Sequence, residues 1–403
     1  MPPIRVAIVG TGNIARIHAR ALGTLTRRTP AEPTPAQPTP AQPTPSKPAP
    51  AEAVQAQAVQ IVAAADVDAG TLASFATELG IPATYQAVAD MLATERPDLV
   101  HVCTPPSTHH PITLACLRAG SSVLVEKPPA ISLRELDELA QAQARDGGRE
   151  RPPWLATVFQ HRFGTSQRRL KALTQDPGIL GRPLVAICHT TWFRDQAYFD
   201  VPWRGRWETE GGGPTMGHGI HQMDMLLDIL GDWAQVCAMT RTQARRTATE
   251  DLSLAHVTFA SGAVASVVNS VLSPREESYL RFDFEHATIE VTHLYGYADD
   301  DWRVTPAPGH DDVLTAWREA ASPDASATTT SRGKSGHAGQ FREVLAALAA
   351  GTPPPVAPED SRRTLSLVAA IYASAVTGRP VTRGDLAPGT PFYESMSGRT
   401  IRE

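Results

Sequence analysis

One feature near the start of the chain constrains the fold more than any other: an apolar strand, two glycines and a helix in immediate succession. Ile4–Val9 is apolar apart from Arg5 and largely β-branched, as expected of a central parallel strand covered on both faces. The turn Gly10-Thr11-Gly12-Asn13-Ile14-Ala15 follows with the form G-x-G-x-x-A, and the spacing of Ile14, Ile17, Ala21 and Leu25 predicts a helix over 14–25. In this setting Gly10 permits the tight turn and Gly12 lets a pyrophosphate approach the backbone. Ala15 allows close helix packing, and the helix N-terminus faces the anion. Thr11, Asn13 and Ile14 complete the expected dinucleotide-binding turn. Further strands are predicted at 60–65, 99–103, 122–125 and 154–160, with helices at 69–79, 112–119 and 133–144. That alternation specifies a doubly wound parallel sheet, the Rossmann α/β class.

Residues 30–50 interrupt the pattern with repeats of Pro-Thr-Pro-Ala-Gln. So much proline removes backbone donors and offers little to bury, which predicts a solvated, polyproline-like loop spanning about 29–58. Asp66 ends the second predicted strand, and subtracting the insertion brings it to roughly 20 residues past the glycines, where a carboxylate accepts the adenosine ribose hydroxyls. A carboxylate there repels a 2′-phosphate and so favours NAD over NADP; a loop-capping aspartate is the alternative.

Beyond Phe163 the texture changes. Strands are predicted at 184–193, 234–241, 252–259, 263–270, 279–285 and 288–292, giving an antiparallel sheet, with helices at 220–230, 339–350 and 360–377. Residues 323–336, rich in Ser, Thr and Gly, read as a mobile loop. The expected organisation is an NAD-binding domain over 1–162 and an α+β substrate and oligomerisation domain over 163–403; 403 residues suffice for two cores. A net charge of −5 argues against nucleic-acid or anionic-membrane surfaces. With no apolar run of membrane-spanning length and no leader-like start, a cytoplasmic protein is expected. Cys103, Cys116, Cys188 and Cys237 lack metal or disulfide spacing and read as reduced packing residues; no metal is expected.

Four further motifs occur in order. Thr104-Pro105-Pro106-Ser107-Thr108-His109 follows the third strand and Glu126-Lys127-Pro128 the fourth. Gly211-Gly212-Gly213 then precedes Gly219-Ile220-His221-Gln222-Met223-Asp224. Together they resemble the glucose-fructose oxidoreductase / inositol dehydrogenase (Gfo/Idh/MocA) family over nearly the whole chain. The resemblance implies that Thr104, Pro105 and His109 lie along NAD and that Glu126 and Lys127 sit beside the nicotinamide ribose. It also implies that His221 takes the substrate's hydroxyl proton, for which a near-neutral imidazole is suited. Lys127, directly after a strand end, can bind the reacting oxygen and favour its alkoxide. Many relatives carry an aspartate four residues before this histidine, where this chain has Gly217. His218 can partly substitute, or Lys127 and His221 can act alone; Asp224, on the same helical face as His221, either orients the imidazole or caps a buried donor. Arg162, Arg204 and Trp207 join His218 and Asp224 as substrate-side candidates. The implied activity is NAD-dependent hydride transfer at a secondary hydroxyl of a sugar, inositol or related polyol, in a homodimer or homotetramer. An NAD-dependent glycosidase using transient oxidation and a non-catalytic nicotinamide-binding regulator are the rival readings.

Overall fold

A computed structural model describes residues 2–26, 58–144, 152–320 and 334–399. The proline-rich repeat at 30–50 and residues 323–333 of the expected mobile loop lie outside them. The first unit runs β1 (Ile4–Val9), α1 (Asn13–Thr26), β2 (Val59–Ala65), α2 (Ala69–Leu79), β3 (Ala83–Tyr85), α3 (Val88–Glu95), β4 (Leu99–Val102), α4 (His109–Ala119), β5 (Ser122–Val125), α5 (Leu133–Ala144) and β6 (Leu155–Thr157). Its six strands are parallel in the order β3-β2-β1-β4-β5-β6, the doubly wound arrangement expected. Local chemistry sets the boundaries: Asp68 caps α2 by accepting from Thr71 N at 2.6 Å, and Gly80 ends it in the left-handed region. The predicted strand over 154–160 is shorter than expected, because residues 160–163 wind into a 3₁₀ turn.

The second unit continues through α6 (Thr165–Leu173), α7 (Pro177–Leu180), β7 (Pro183–Phe193), α8 (Gln196–Phe199), α9 (Ile220–Leu230), β8 (Trp233–Arg241), β9 (Leu252–Phe259), β10 (Val264–Ser270), β11 (Leu272–Phe284), β12 (Ala287–His293), β13 (Trp302–Pro306), α10 (Asp312–Glu319), α11 (His337–Ala350), α12 (Pro358–Thr377), β14 (Val381–Thr382) and α13 (Pro391–Glu394). Eight strands form one sheet in the order β13-β12-β11-β7-β10-β9-β8-β14. The sheet is mixed rather than wholly antiparallel. β10 pairs with β7 in parallel, since the long excursion through α8, α9, β8 and β9 returns the chain in the same direction. One face buries α9 and α12 in the main core, while Val185, Met239, Leu254 and Val264 remain exposed. Strand alternation also puts Cys237 on the surface, a correction to its reading as a packing residue; Cys103, Cys116 and Cys188 are buried and all four are free.

Late in the chain, α11 comes back to the first unit and lies along α1. Phe341 and Val344 pack with Val6 and Leu22, and burying a phenylalanine contributes about 1.5–3 kcal/mol. This return brings His337 to the carboxyl ends of the parallel strands, beside Glu126.

Candidate active site

The glycine turn caps β1. Gly10 has φ +84°, and a Cβ there would stand 2.7 Å from the Cys103 carbonyl oxygen, so only glycine fits without displacement. A Cβ on Gly12 would meet nothing within 4 Å, which leaves room above the N-terminus of α1, where Asn13 and Ile14 begin the helix. Asp66 ends β2, as expected, and its Oδ2 accepts from Thr11 N at 2.7 Å and Thr11 Oγ1 at 2.8 Å. Open space over a helix N-terminus, flanked by a strand-end carboxylate, fits a dinucleotide.

Next to it are the loops after β4 and β5. Thr104 Oγ1 accepts from Thr108 at 2.7 Å, and Pro105 O accepts from the same hydroxyl. His109 departs from its expected place along the cofactor: it is buried, with one ring nitrogen 2.7 Å from Thr104 O and the other 2.7 Å from Pro128 O. It clasps the two loops together. Burial lowers its pKa, although both carbonyls oppose the shift.

Glu126 is buried and accepts from Lys127 N at 3.1 Å, and its Oε1 lies 2.9 Å from His18 Nε2 and 3.7 Å from His337 Nε2. Burial alone would raise this carboxyl, but His18 and His337 outweigh it and hold the pKa well below the usual range. His18, Glu126 and His337 are also the grouping of metal-ligand type among the described residues; His18 and Glu126 are already bonded to each other. Lys127 Nζ donates to Gly217 O at 2.7 Å, joining the parallel sheet to the second unit. Burial lowers its pKa.

Residue 217 lies in a π-helical turn, Thr215–Gly219, that leads into α9. Such widened turns are rare and occur frequently at functional sites. The glycines before it approach the protein's own interior: Gly213 N and Thr215 N donate to the buried Glu250 carboxylate at 3.0 Å each. His221 is buried with no hydrogen-bond partner on either nitrogen, its ring 5.0 Å from that of His161 and 6.3 Å from Phe159. His218 stands between Trp192 and Tyr198, ring centroids 5.1 and 5.6 Å away, with Nδ1 unpartnered. Gln160 likewise buries an amide with neither atom bonded. Buried polar groups normally find partners, so these are groups a polyhydroxylated ligand would satisfy. Burial, and then the Lys127 ammonium, drive both histidines well below 6.5; His161 adds to this at His221, and Arg194 and Arg204 at His218. Both are neutral at pH 7, able to accept a proton.

Arg162 and Asp224 depart from their expected substrate side. They form a bidentate pair at 2.6 Å per bond, with Thr364 Oγ1 also donating to Asp224, so Asp224 does not orient His221. Trp207 stacks edge-on against Tyr372 and donates to Ala248 O at 2.9 Å, a packing role. Arg204 stays near the site, 4.2 Å from the Trp203 ring and 3.2 Å from Glu210 Oε1. The sequence motifs assign no site role to Trp192 or Glu210, and Gln160 and His161 stand out only as part of the Gln160-His161-Arg162-Phe163 segment that resembles the family's entry to the second domain; for Glu210 the available signal is its position directly before the glycine run. A cavity bounded by Ile4, Arg96, Trp154 and Pro353 lies at the opposite, amino ends of the strands.

The depressed histidines make stability depend on pH. His101, His161, His218 and His221 are well below 6.5 and His293 is lowered to about 4, chiefly by burial. Between those values and 6.5 the unfolded chain binds protons that the folded chain refuses, so stability is full above about pH 6.5 and falls below it. Thermal melts at pH 7.5 and 5.5 should show the lower midpoint at 5.5, with a loss of about 1.4 kcal/mol for each histidine that stays neutral.

Comparison with known proteins follows the same lines. Residues 4–150 match an oxidoreductase family with an NAD-binding Rossmann fold, and residues 168–292 match the Gfo/Idh/MocA C-terminal domain. D-glucoside 3-dehydrogenase of Escherichia coli is 29% identical over 233 residues, 57% of this chain and 54% of that protein, so the chain spans about half of its length. D-apiose dehydrogenase of Paraburkholderia graminis is 26% identical over 357 residues, 85% of this chain and 88% of the relative. The solved WlbA dehydrogenase from Bordetella pertussis, in complex with NADH and UDP-GlcNAcA, shares the fold with a TM-score of 0.73 at 24% identity, covering 94% of this chain and 98% of that one. No helix among the described residues is long and apolar enough to cross a membrane.

Proposed function

The chain belongs to the Gfo/Idh/MocA oxidoreductase family, and from that premise we propose that it is an NAD-dependent dehydrogenase acting on a secondary hydroxyl or carbonyl of a sugar, inositol or related polyol. The observation that carries this reading is the meeting of Lys127, pinned to Gly217 at 2.7 Å, with a neutral, unpartnered His221. Relatives named for glucoside, apiose and inositol oxidation support the substrate class. The bound nicotinamide supplies the hydride acceptor at C4. Lys127 donates a hydrogen bond to the reacting oxygen and favours its alkoxide, and His221 accepts the hydroxyl proton at an imidazole nitrogen. His218 and Arg204 hold neighbouring substrate hydroxyls. Asp66, already turned toward the glycine loop, accepts from the adenosine ribose and disfavours a 2′-phosphate.

In this reading residues 1–162 form the cofactor domain and 163–403 the substrate and oligomerisation domain. The exposed apolar residues on the open sheet face support burial against a second copy, in a dimer or tetramer. Unpaired thiols suit a cytoplasmic setting. A panel of sugars, inositols and sugar acids, offered with NAD or NADP and followed by absorbance of the reduced cofactor, tests the proposal. One NADH should appear per substrate oxidised, with NAD preferred. Product without net NADH would point to the glycosidase route, and cofactor binding without turnover across the panel to a non-catalytic role.

A further inference from the structure

Among the described residues, Glu210 is the carboxylate next to residue 217. It is buried, immediately before the glycine run, with Oε2 accepting from Gly205 N at 2.6 Å and Oε1 accepting from Arg204 Nη1 at 3.2 Å. A Cβ built on Gly217 would lie 3.5 Å from the same Oε1, with no other neighbour inside 4 Å. Lys127 Nζ donates to the carbonyl of that same glycine at 2.7 Å. The ammonium and the carboxylate therefore both lie against residue 217, the first at its carbonyl and the second at the position a side chain would take.

We propose that Glu210 is a positioning residue that supplies, from the preceding loop, the carboxylate residue 217 lacks, keeping the Lys127 ammonium charged and aimed at the reacting oxygen. This rests on the role proposed for Lys127 above. A nearby carboxylate favours the charged form of an ammonium. Burial lowers Lys127, Glu126 and Glu210 oppose that, and Arg204 adds to it. Burial raises Glu210, while the Gly205 amide, Arg204 and Lys127 oppose it. The other groups facing the lysine are His218, from the turn into α9, His221, on α9 itself, His161, from the segment after β6, and His109, at the start of α4. With these four histidines neutral, the anions facing Lys127 among the described residues are Glu126 and Glu210.

The alternative is that Glu210 only braces the Gly205 amide. Glu210→Gln separates the two, since its amide oxygen still accepts from that N–H while the charge is gone. The chain has only four lysines, Lys47, Lys127, Lys171 and Lys334, so ¹³C-lysine NMR can follow the Lys127 titration directly in the full protein. Glu210→Gln should lower that titration by about one pH unit or more, reduce kcat at least tenfold and leave KM nearly unchanged. Adding Gly217→Asp to Glu210→Gln should restore both the titration and most of kcat. In the unaltered background, Gly217→Asp should raise the Lys127 titration, and this variant keeps the test open if Glu210→Gln does not fold. An unchanged Lys127 titration in Glu210→Gln and in Gly217→Asp overturns the proposal whatever the activity. A shifted titration in a protein that oxidises no sugar keeps the pairing and sinks the dehydrogenase reading instead.

Discussion

Replacing Lys127 with alanine should lower turnover on the order of 10²–10³-fold, the effect of removing a donor from a developing oxyanion, while NAD affinity changes little. The asymmetry follows from where the contacts lie. The groups that fit the dinucleotide are the glycine turn, the N-terminus of α1 and Asp66, none of which Lys127 touches. Its ammonium instead reaches across to Gly217, toward the two histidines. Calorimetric titration with NAD and steady-state rates on the best substrate separate the two quantities. A second signature should accompany the loss. Lys127 is among the charges holding His221 below its ordinary value, second only to burial, so its removal should move the acid limb of the residual pH–rate profile upward toward 6.5. Near-normal turnover in Lys127→Ala would reduce this residue to a strut between the two units.

What could be read from sequence is what local physics decides. The β1–turn–α1 unit, Asp66 at the end of β2, and the Gly80 and Gly120 helix ends were legible because periodicity and turn chemistry act within a few residues. Short β3 and half-exposed α3 were not, since three residues carry no period and α3 opens without a side-chain cap. Pairings across long sequence separations also escaped. Nothing local announces that β10 will run parallel to β7, or that Arg162 and Asp224, 62 residues apart, will satisfy each other. The same holds for the site. Lys127 and His221 stood in recognisable motifs, whereas Glu210 matters through the space beside Gly217, which only the folded chain defines. His109 was recognisable as a motif residue, yet its two carbonyl partners make it a clasp between loops.

His221→Asn should cost on the order of 10²–10⁴ in turnover, the range for a positioned general base, and it should abolish the acid limb of the oxidative pH–rate profile. The sign follows from the burial of the imidazole. A base must be neutral to accept a proton, so the rate rises with pH through its apparent pKa. Burial, Lys127 and His161 place that value well below 6.5, so the rise should be complete by neutrality rather than centred there. Asparagine keeps the size and one hydrogen-bonding edge but cannot take the proton, so loss of the limb reports proton transfer rather than packing. His218→Asn should be mild by comparison. His218 is held between Trp192 and Tyr198, where a ring serves to shape the pocket, whereas both nitrogens of His221 are without partners. If His218 shares the proton instead, its substitution should cost nearly as much, and the double variant should fall little below either single one, because the two would act as a unit. Full activity in His221→Asn would exclude both versions and move the search for the proton acceptor to His161, the buried imidazole 5.0 Å away.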